Sequence, residues 1–177
     1  GGEGEEEGGQ EQFKWRNLEE ELRSCVWRGK THFVRELLDL GADPNYLTVY
    51  AGWRPIHYAA WADHKDVIEL LLGAGARKNA LNEHGQNALH LAACRASLRA
   101  LPALIKHGVD ANVRDTQGCL PLEIAHRLML GCEHPLSMRT KQSVLILANA
   151  TSIDLEAVQW ALEDAEDKWV PSSKFAS

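Results

Sequence analysis

Apolar residues recur along this chain in alternating short stripes, each at helical spacing. Val67, Leu70 and Leu71, and again Leu101, Leu104 and Ile105, stand at i, i+3, i+4 and predict helices with one broad apolar face. Each stripe runs into a glycine: Leu37-Leu38-x-x-Gly41, Leu71-Leu72-x-x-Gly75 and Leu104-Ile105-x-x-Gly108. A left-handed residue there closes the last helical turn at little cost. Between these stripes lie smaller ones, Ile56/Ala59/Ala60 and Leu89/Ala92/Ala93, whose short side chains let neighbouring helices approach closely. Pro55 and Pro121 stand where such helices begin, since a first-turn residue needs no N–H. Near the N-terminus, Leu22-x-x-Cys25-Val26-x-x-Gly29 and Phe33-Val34-x-x-Leu37-Leu38 repeat the alternation without a proline.

The alternation has a fixed period. Gly52, Gly85 and Gly118 are 33 residues apart, and each opens a six-residue box: Gly52-Trp53-Arg54-Pro55-Ile56-His57, Gly85-Gln86-Asn87-Ala88-Leu89-His90 and Gly118-Cys119-Leu120-Pro121-Leu122-Glu123. A second box keeps the same phase: Gly41-Ala42-Asp43-Pro44-Asn45, Gly75-Ala76-Arg77-Lys78-Asn79 and Gly108-Val109-Asp110-Ala111-Asn112. A unit of this length cannot hide both faces of its helix pair, so neighbouring units must stack. The two boxes and their period resemble the ankyrin-repeat family over roughly Leu18 to Ala148. That resemblance implies an all-α solenoid of about four helix-turn-helix repeats, at about 18–48, 49–81, 82–114 and 115–150, with β-hairpin or turn fingers between them. The repeat domain is expected over 13–150.

The fourth unit departs from the pattern. Gly131-Cys132-Glu133-His134-Pro135 is inserted before the next apolar segment, Val144-Leu145-Ile146-Leu147. Beyond it, Thr151 and Asp154 resemble a capping box, and Leu155, Val158, Leu162, Ala165 and Trp169 form a stripe opposite Glu163, Asp164, Glu166 and Asp167. A C-terminal capping helix is expected over 151–169, a flexible tail over 170–177, and a disordered Gly/Glu tail over 1–12. The chain does not begin with methionine, which suggests a processed form or a piece of a longer protein.

Charge removes one class of partner. The net charge is -6, but Glu3, Glu5, Glu6, Glu7 and Glu11 supply five of those charges, leaving a body at -1. A near-neutral body lacks the footprint of a nucleic-acid-binding surface. No apolar run approaches the roughly 18 residues of a membrane span, so no membrane insertion is expected. The four cysteines form no C-x-x-C pair, which points away from a disulfide framework or zinc knuckle and toward the cytoplasm or nucleus. Catalytic motifs are missing too: there is no phosphate loop ending in Lys-Ser/Thr and no H-E-x-x-H helix. We expect no enzyme activity, no cofactor, no metal site and a monomer.

The ankyrin resemblance implies a protein partner, bound by finger tips and by the exposed side of each first helix. Trp27, Arg28, Tyr50, Trp53, Trp61, Glu83, His84, Gln86 and Arg95 fall on that strip. Six tryptophans are many for 177 residues, and exposed Trp, Tyr and Arg dominate interface energies. An aromatic patch over the first two units is the expected binding site, and replacing Trp53 and Trp61 by alanine is expected to abolish capture without altering the melt. His57 and His90 match the box histidine that in this family resembles a strut between loops; Glu123 replaces it in the last unit and leaves that strut in doubt. Asn45, Asn79 and Asn112 match the finger asparagine that some family members present for hydroxylation. The resemblance implies an adaptor or scaffold. Alternatives are a steric inhibitor of an enzyme such as a protein kinase, although repeat two keeps a full-length first helix that those inhibitors shorten, and a substrate-recognition subunit of a ubiquitin ligase.

Overall fold

The structure, a computed structural model, describes residues 18–131 and 138–151. The expected tails at 1–12 and 170–177, nearly all of the expected capping helix, and Cys132 to Pro135 lie outside the described residues. Eight helices and no strand are assigned among them, in four antiparallel pairs: α1 (Leu18–Trp27) with α2 (Thr31–Asp39), α3 (Pro55–Trp61) with α4 (Lys65–Gly73), α5 (Ala88–Cys94) with α6 (Ala100–Lys106), and α7 (Pro121–Gly131) with α8 (Met138–Ala150). The first helices form one rank, α1 against α3 against α5 against α7; the second helices form the other.

The small stripes of the sequence are the seams of the first rank. Leu22, Ile56, Leu89 and Leu122 occupy equivalent turns and are all buried, as are Cys25, Ala59, Ala92 and Ala125 one turn on. In the second rank Ile68, Leu71, Leu101 and Leu104 are fully buried. Truncating one such leucine to alanine removes roughly 2–5 kcal/mol. The core is therefore continuous through the stack.

Turns between paired helices demand left-handed backbone, and the three units meet the demand differently. Gly29 (φ 68°), Asp63 (φ 61°) and Ala96 (φ 48°) stand at equivalent places. Asp63 offsets its conformational cost, about 1–2 kcal/mol, through its carboxylate. Oδ1 accepts the Arg99 and Ala100 N–H groups, both at 2.8 Å, and so caps α6 of the next pair. Oδ2 lies 3.5 Å from an Arg139 guanidinium nitrogen of α8. Next to Asp63, His64 Nε2 bonds to the Trp27 carbonyl at 3.1 Å, closing the end of α1. A Cβ on Gly29 would stand 2.6 Å from that imidazole, so only glycine fits beneath it.

The fingers are turns rather than β-hairpins. One backbone bond closes each: Thr48 N–H to Trp53 O, Asn82 N–H to Gln86 O, and Asp115 N–H to Cys119 O. Single bonds join neighbours, Glu83 N–H to Ala51 O and Thr116 N–H to His84 O. The first finger holds one residue more than the others between closing positions, which places Ala51 at φ 50° and throws Val49 and Tyr50 outward. In the last pair α7 has 11 residues where α3 and α5 have seven. α8 extends well beyond the expected apolar core at 144–147, and the Thr151 hydroxyl is turned back onto its Leu147 and Ala148 carbonyls.

Asp63→Ala should lower stability by about 1–2 kcal/mol in urea denaturation, since it strips the cap from α6 and keeps a left-handed Cβ. Asp63→Asn, which retains an acceptor, should cost markedly less.

Candidate functional site

The box histidines set the spacing between neighbouring units. His57 sits three residues into α3. The Arg54 N–H donates to its Nδ1 at 2.9 Å, which leaves the proton on Nε2 to reach the Ala80 carbonyl of the next finger at 3.0 Å. His90 repeats the device, with the Asn87 N–H on Nδ1 at 3.2 Å and Nε2 on the Cys119 carbonyl at 3.2 Å. Burial pushes the His57 imidazole down to about 4, the bond to Ala80 only partly opposing it and the Arg54 charge adding to it. Burial lowers His90 as well. Both are neutral struts at pH 7. At the third box Glu123 keeps half of the device: its carboxylate accepts the Leu120 N–H at 2.8 Å, and Arg114 lies 3.6 Å away.

With the spacing set, an open groove of about 600 Å3 forms across the first three units. Tyr58, nearly buried, is its floor, with its hydroxyl 3.0 Å from Thr48 Oγ1 at the root of the first finger. Trp53 stacks tilted on Tyr58 at 5.0 Å and on Trp61 at 5.6 Å. Trp27 meets Tyr58 edge-on at 6.2 Å and remains 47% exposed, while Tyr50 is 68% exposed on the longer first finger. His84 and Gln86 close the far side with Leu91 and Cys94. At the rim, the Arg95 guanidinium lies over the Trp61 ring at 5.3 Å.

Of the nine residues expected on the binding strip, Trp27, Tyr50, Trp53, Trp61, His84 and Gln86 line this groove, and Arg95 borders it through Trp61. Arg28 is exposed and does not line it. Glu83 lies against Gly52, its Cγ 3.0 Å from where a Cβ would stand, and does not line it either. Trp53 is half-buried and packs on the core as well as on Tyr58, so replacing it should disturb the fold, contrary to the sequence expectation. Tyr58, Leu91 and Arg23 were not anticipated. Tyr58 and Leu91 hold equivalent places immediately after the box histidines, and that shared position was the available signal.

The finger asparagines are bound differently. Asn45 Oδ1 accepts the Arg77 N–H at 2.8 Å and its amide donates to the Gly75 carbonyl at 3.1 Å, while Asn79 Oδ1 accepts the Asp110 N–H at 2.9 Å. Asn112 is exposed, with no bond to its side chain among the described residues. Burial raises the thiol of Cys94, with the nearby Asp115 charge adding to it, which leaves it protonated at neutral pH. Burial pushes the Asp115 carboxyl up, but N–H bonds from Cys119 and Gln117 outweigh it and hold that group below its usual range. Among the described residues no three His, Cys, Asp or Glu side chains converge as a metal site would require.

Family models described as ankyrin repeats in many copies match residues 22–72 and 73–125. The chain belongs to the ankyrin-repeat family. Its relatives include human SH3 and multiple ankyrin repeat domains protein 1, 38% identical over 107 residues, which are 60% of this chain and 5% of that protein. Human CAP-Gly domain-containing linker protein 3 is 35% identical over 96 residues, 51% of this chain and 17% of the relative. Mouse B-cell lymphoma 3 protein homolog is 31% identical over 104 residues, 59% and 23% respectively. The chain thus spans less than a quarter of the length of each. Among the described residues no helix is long and apolar enough to cross a membrane. Ankyrin repeats are a protein-interaction fold.

The neutral struts give stability a pH dependence. His57 binds its proton near 6.5 when unfolded and near 4 when folded, so stability is full above 6.5 and is lost as pH falls toward 4, by roughly 3 kcal/mol for this residue. His90 adds to the loss in the same direction. Urea midpoints measured across that interval should fall steeply in the native chain and less steeply in His57→Gln.

Proposed function

We propose that this chain is a non-catalytic protein-binding module that serves as an adaptor or scaffold, and that its partner inserts apolar side chains into the aromatic groove. The observation that carries this reading is the convergence of Trp27, Tyr50, Trp53, Tyr58 and Trp61 from α1, the first finger and α3 on one open groove. A monomeric surface gains nothing by leaving Trp27 and Tyr50 in water. Covered by a partner, each becomes the kind of rigid, amphipathic anchor that dominates interface energies. The ring contacts among them fix rotamers in advance, which lowers the ordering cost of association. Cys25, Cys94 and Cys119 are unpaired thiols, which favours the reducing cytoplasm or nucleus as the place of action.

The test replaces the two most exposed rings and leaves the core alone. Immobilised wild-type chain and a Trp27→Ala/Tyr50→Ala variant are compared for proteins retained from cell extract, beside their thermal melts. Retention of specific partners should fall by roughly tenfold or more while the melt moves little. Undiminished capture would place the binding surface elsewhere.

A further inference from the structure

A second cleft, of about 500 Å3, shares no lining residue with the aromatic groove. Arg54 follows Trp53 on extended backbone (φ -110°, ψ 166°), so the alternation of side chains that sends Trp53 into the groove sends Arg54 away from it. The cleft is lined by Arg54, Arg77, Lys78, Asn79, Ala80 and Leu81. Three of the six carry basic side chains and none is a carboxylate. Among the described residues no carboxylate oxygen comes within the 4.0 Å of an ion pair with any of them.

The repeat register shows how unusual this is within the chain itself. The position of Arg77 is held by Asp43 in the first finger and Asp110 in the third. There the carboxylate turns back onto its own finger, Asp43 Oδ1 accepting the Asn45 N–H and Asp110 Oδ1 the Asn112 N–H, each at 2.8 Å. The middle finger gives up that local turn bond for two adjacent cations. Arg54, meanwhile, is braced over the cleft by a bond from its guanidinium to the Leu81 carbonyl at 3.0 Å, which leaves further donors available. Asp43 and Asp110, the register equivalents of Arg77 on the flanking fingers, are both engaged with their own backbone.

We infer that Arg54, Arg77 and Lys78 form a binding site for a phosphate monoester dianion. Two guanidiniums and an ammonium match a doubly charged, three-oxygen acceptor better than a single carboxylate, and arginine forks bind such oxygens in pairs. Three cations around one cleft, Arg54 at the start of α3 and Arg77 and Lys78 on the next finger, suit one phosphate and offer no track for a nucleic-acid backbone. The phosphate can be carried by a phosphoserine or phosphothreonine of a protein or by a small soluble molecule. This inference does not depend on the aromatic groove.

Amide and arginine side-chain NMR signals of the whole chain are followed during titration with methyl phosphate, with a glycine-flanked phosphoserine peptide, with acetate, and with sodium chloride at matched ionic strength. Saturable shifts centred on Arg54 and 77–81 are expected with both phosphates, with affinity at least about tenfold above that for acetate. Tighter binding of the peptide than of methyl phosphate identifies a protein-borne phosphate; equal binding identifies the small-molecule source. Arg77→Asp, which restores the residue of the flanking fingers and their turn bond, should abolish the shifts without lowering the melting temperature, and Lys78→Ala should weaken them. The site is overturned if chloride reproduces the shifts, if acetate binds as well, or if Arg77→Asp retains them.

Discussion

Every level of this fold rests on one constraint: a pair of helices only seven to thirteen residues long cannot satisfy its own ends or hide its own faces. The missing partners come from the next pair. His57 spans from the start of α3 to the finger beyond it, Asp63 caps a helix 36 residues further on, and His64 closes one that ended before it. These bonds are long in sequence and short in space. The apolar seams, Leu22 to Leu122 and Cys25 to Ala125, provide the bulk of the stabilisation. The polar struts set the register at which those seams meet.

The candidate site is a product of that register. No single unit contains the aromatic groove: α1 contributes Trp27, the first finger Tyr50, α3 the floor and wall, and the next finger His84 and Gln86. The same extended dipeptide that feeds Trp53 into it directs Arg54 to the opposite side, so two chemically unlike surfaces share one finger root. The exposed residues of either surface, such as Trp27, Tyr50, Arg77 and Lys78, can vary with little effect on the stack, whereas Tyr58 and Trp53 belong to groove and core alike.

Much of this was legible in the sequence because repetition converts a local pattern into a spatial one. The 33-residue spacing of Gly52, Gly85 and Gly118 placed the helices, and the column of Trp27 and Trp61 pointed to the groove. What the period could not convey was departure from itself. The additional residue in the first finger, which carries Tyr50 outward, is a one-residue change in spacing easily absorbed into turn geometry. Tyr58 is not legible as a site residue because, on the buried side of a helix, it looks like core until the groove above it is seen. The position of Trp53 in the box places it on the exposed strip, whereas its ring is shared between groove and core. Arg77-Lys78 reads as an exposed pair in one dimension, and only its convergence with Arg54, more than twenty residues earlier, gives it meaning.

The units are coupled through the buried struts, and the groove exists only while that coupling holds. Hydrogen–deuterium exchange of the native chain beside His57→Ala tests it directly. If the account is right, protection falls on both sides of the severed contact, at the amides of Arg54 to Trp61 and at those of Ala80 to Gln86, while α7 and α8 keep theirs. Loss confined to α3, with the next finger as protected as before, would contradict it.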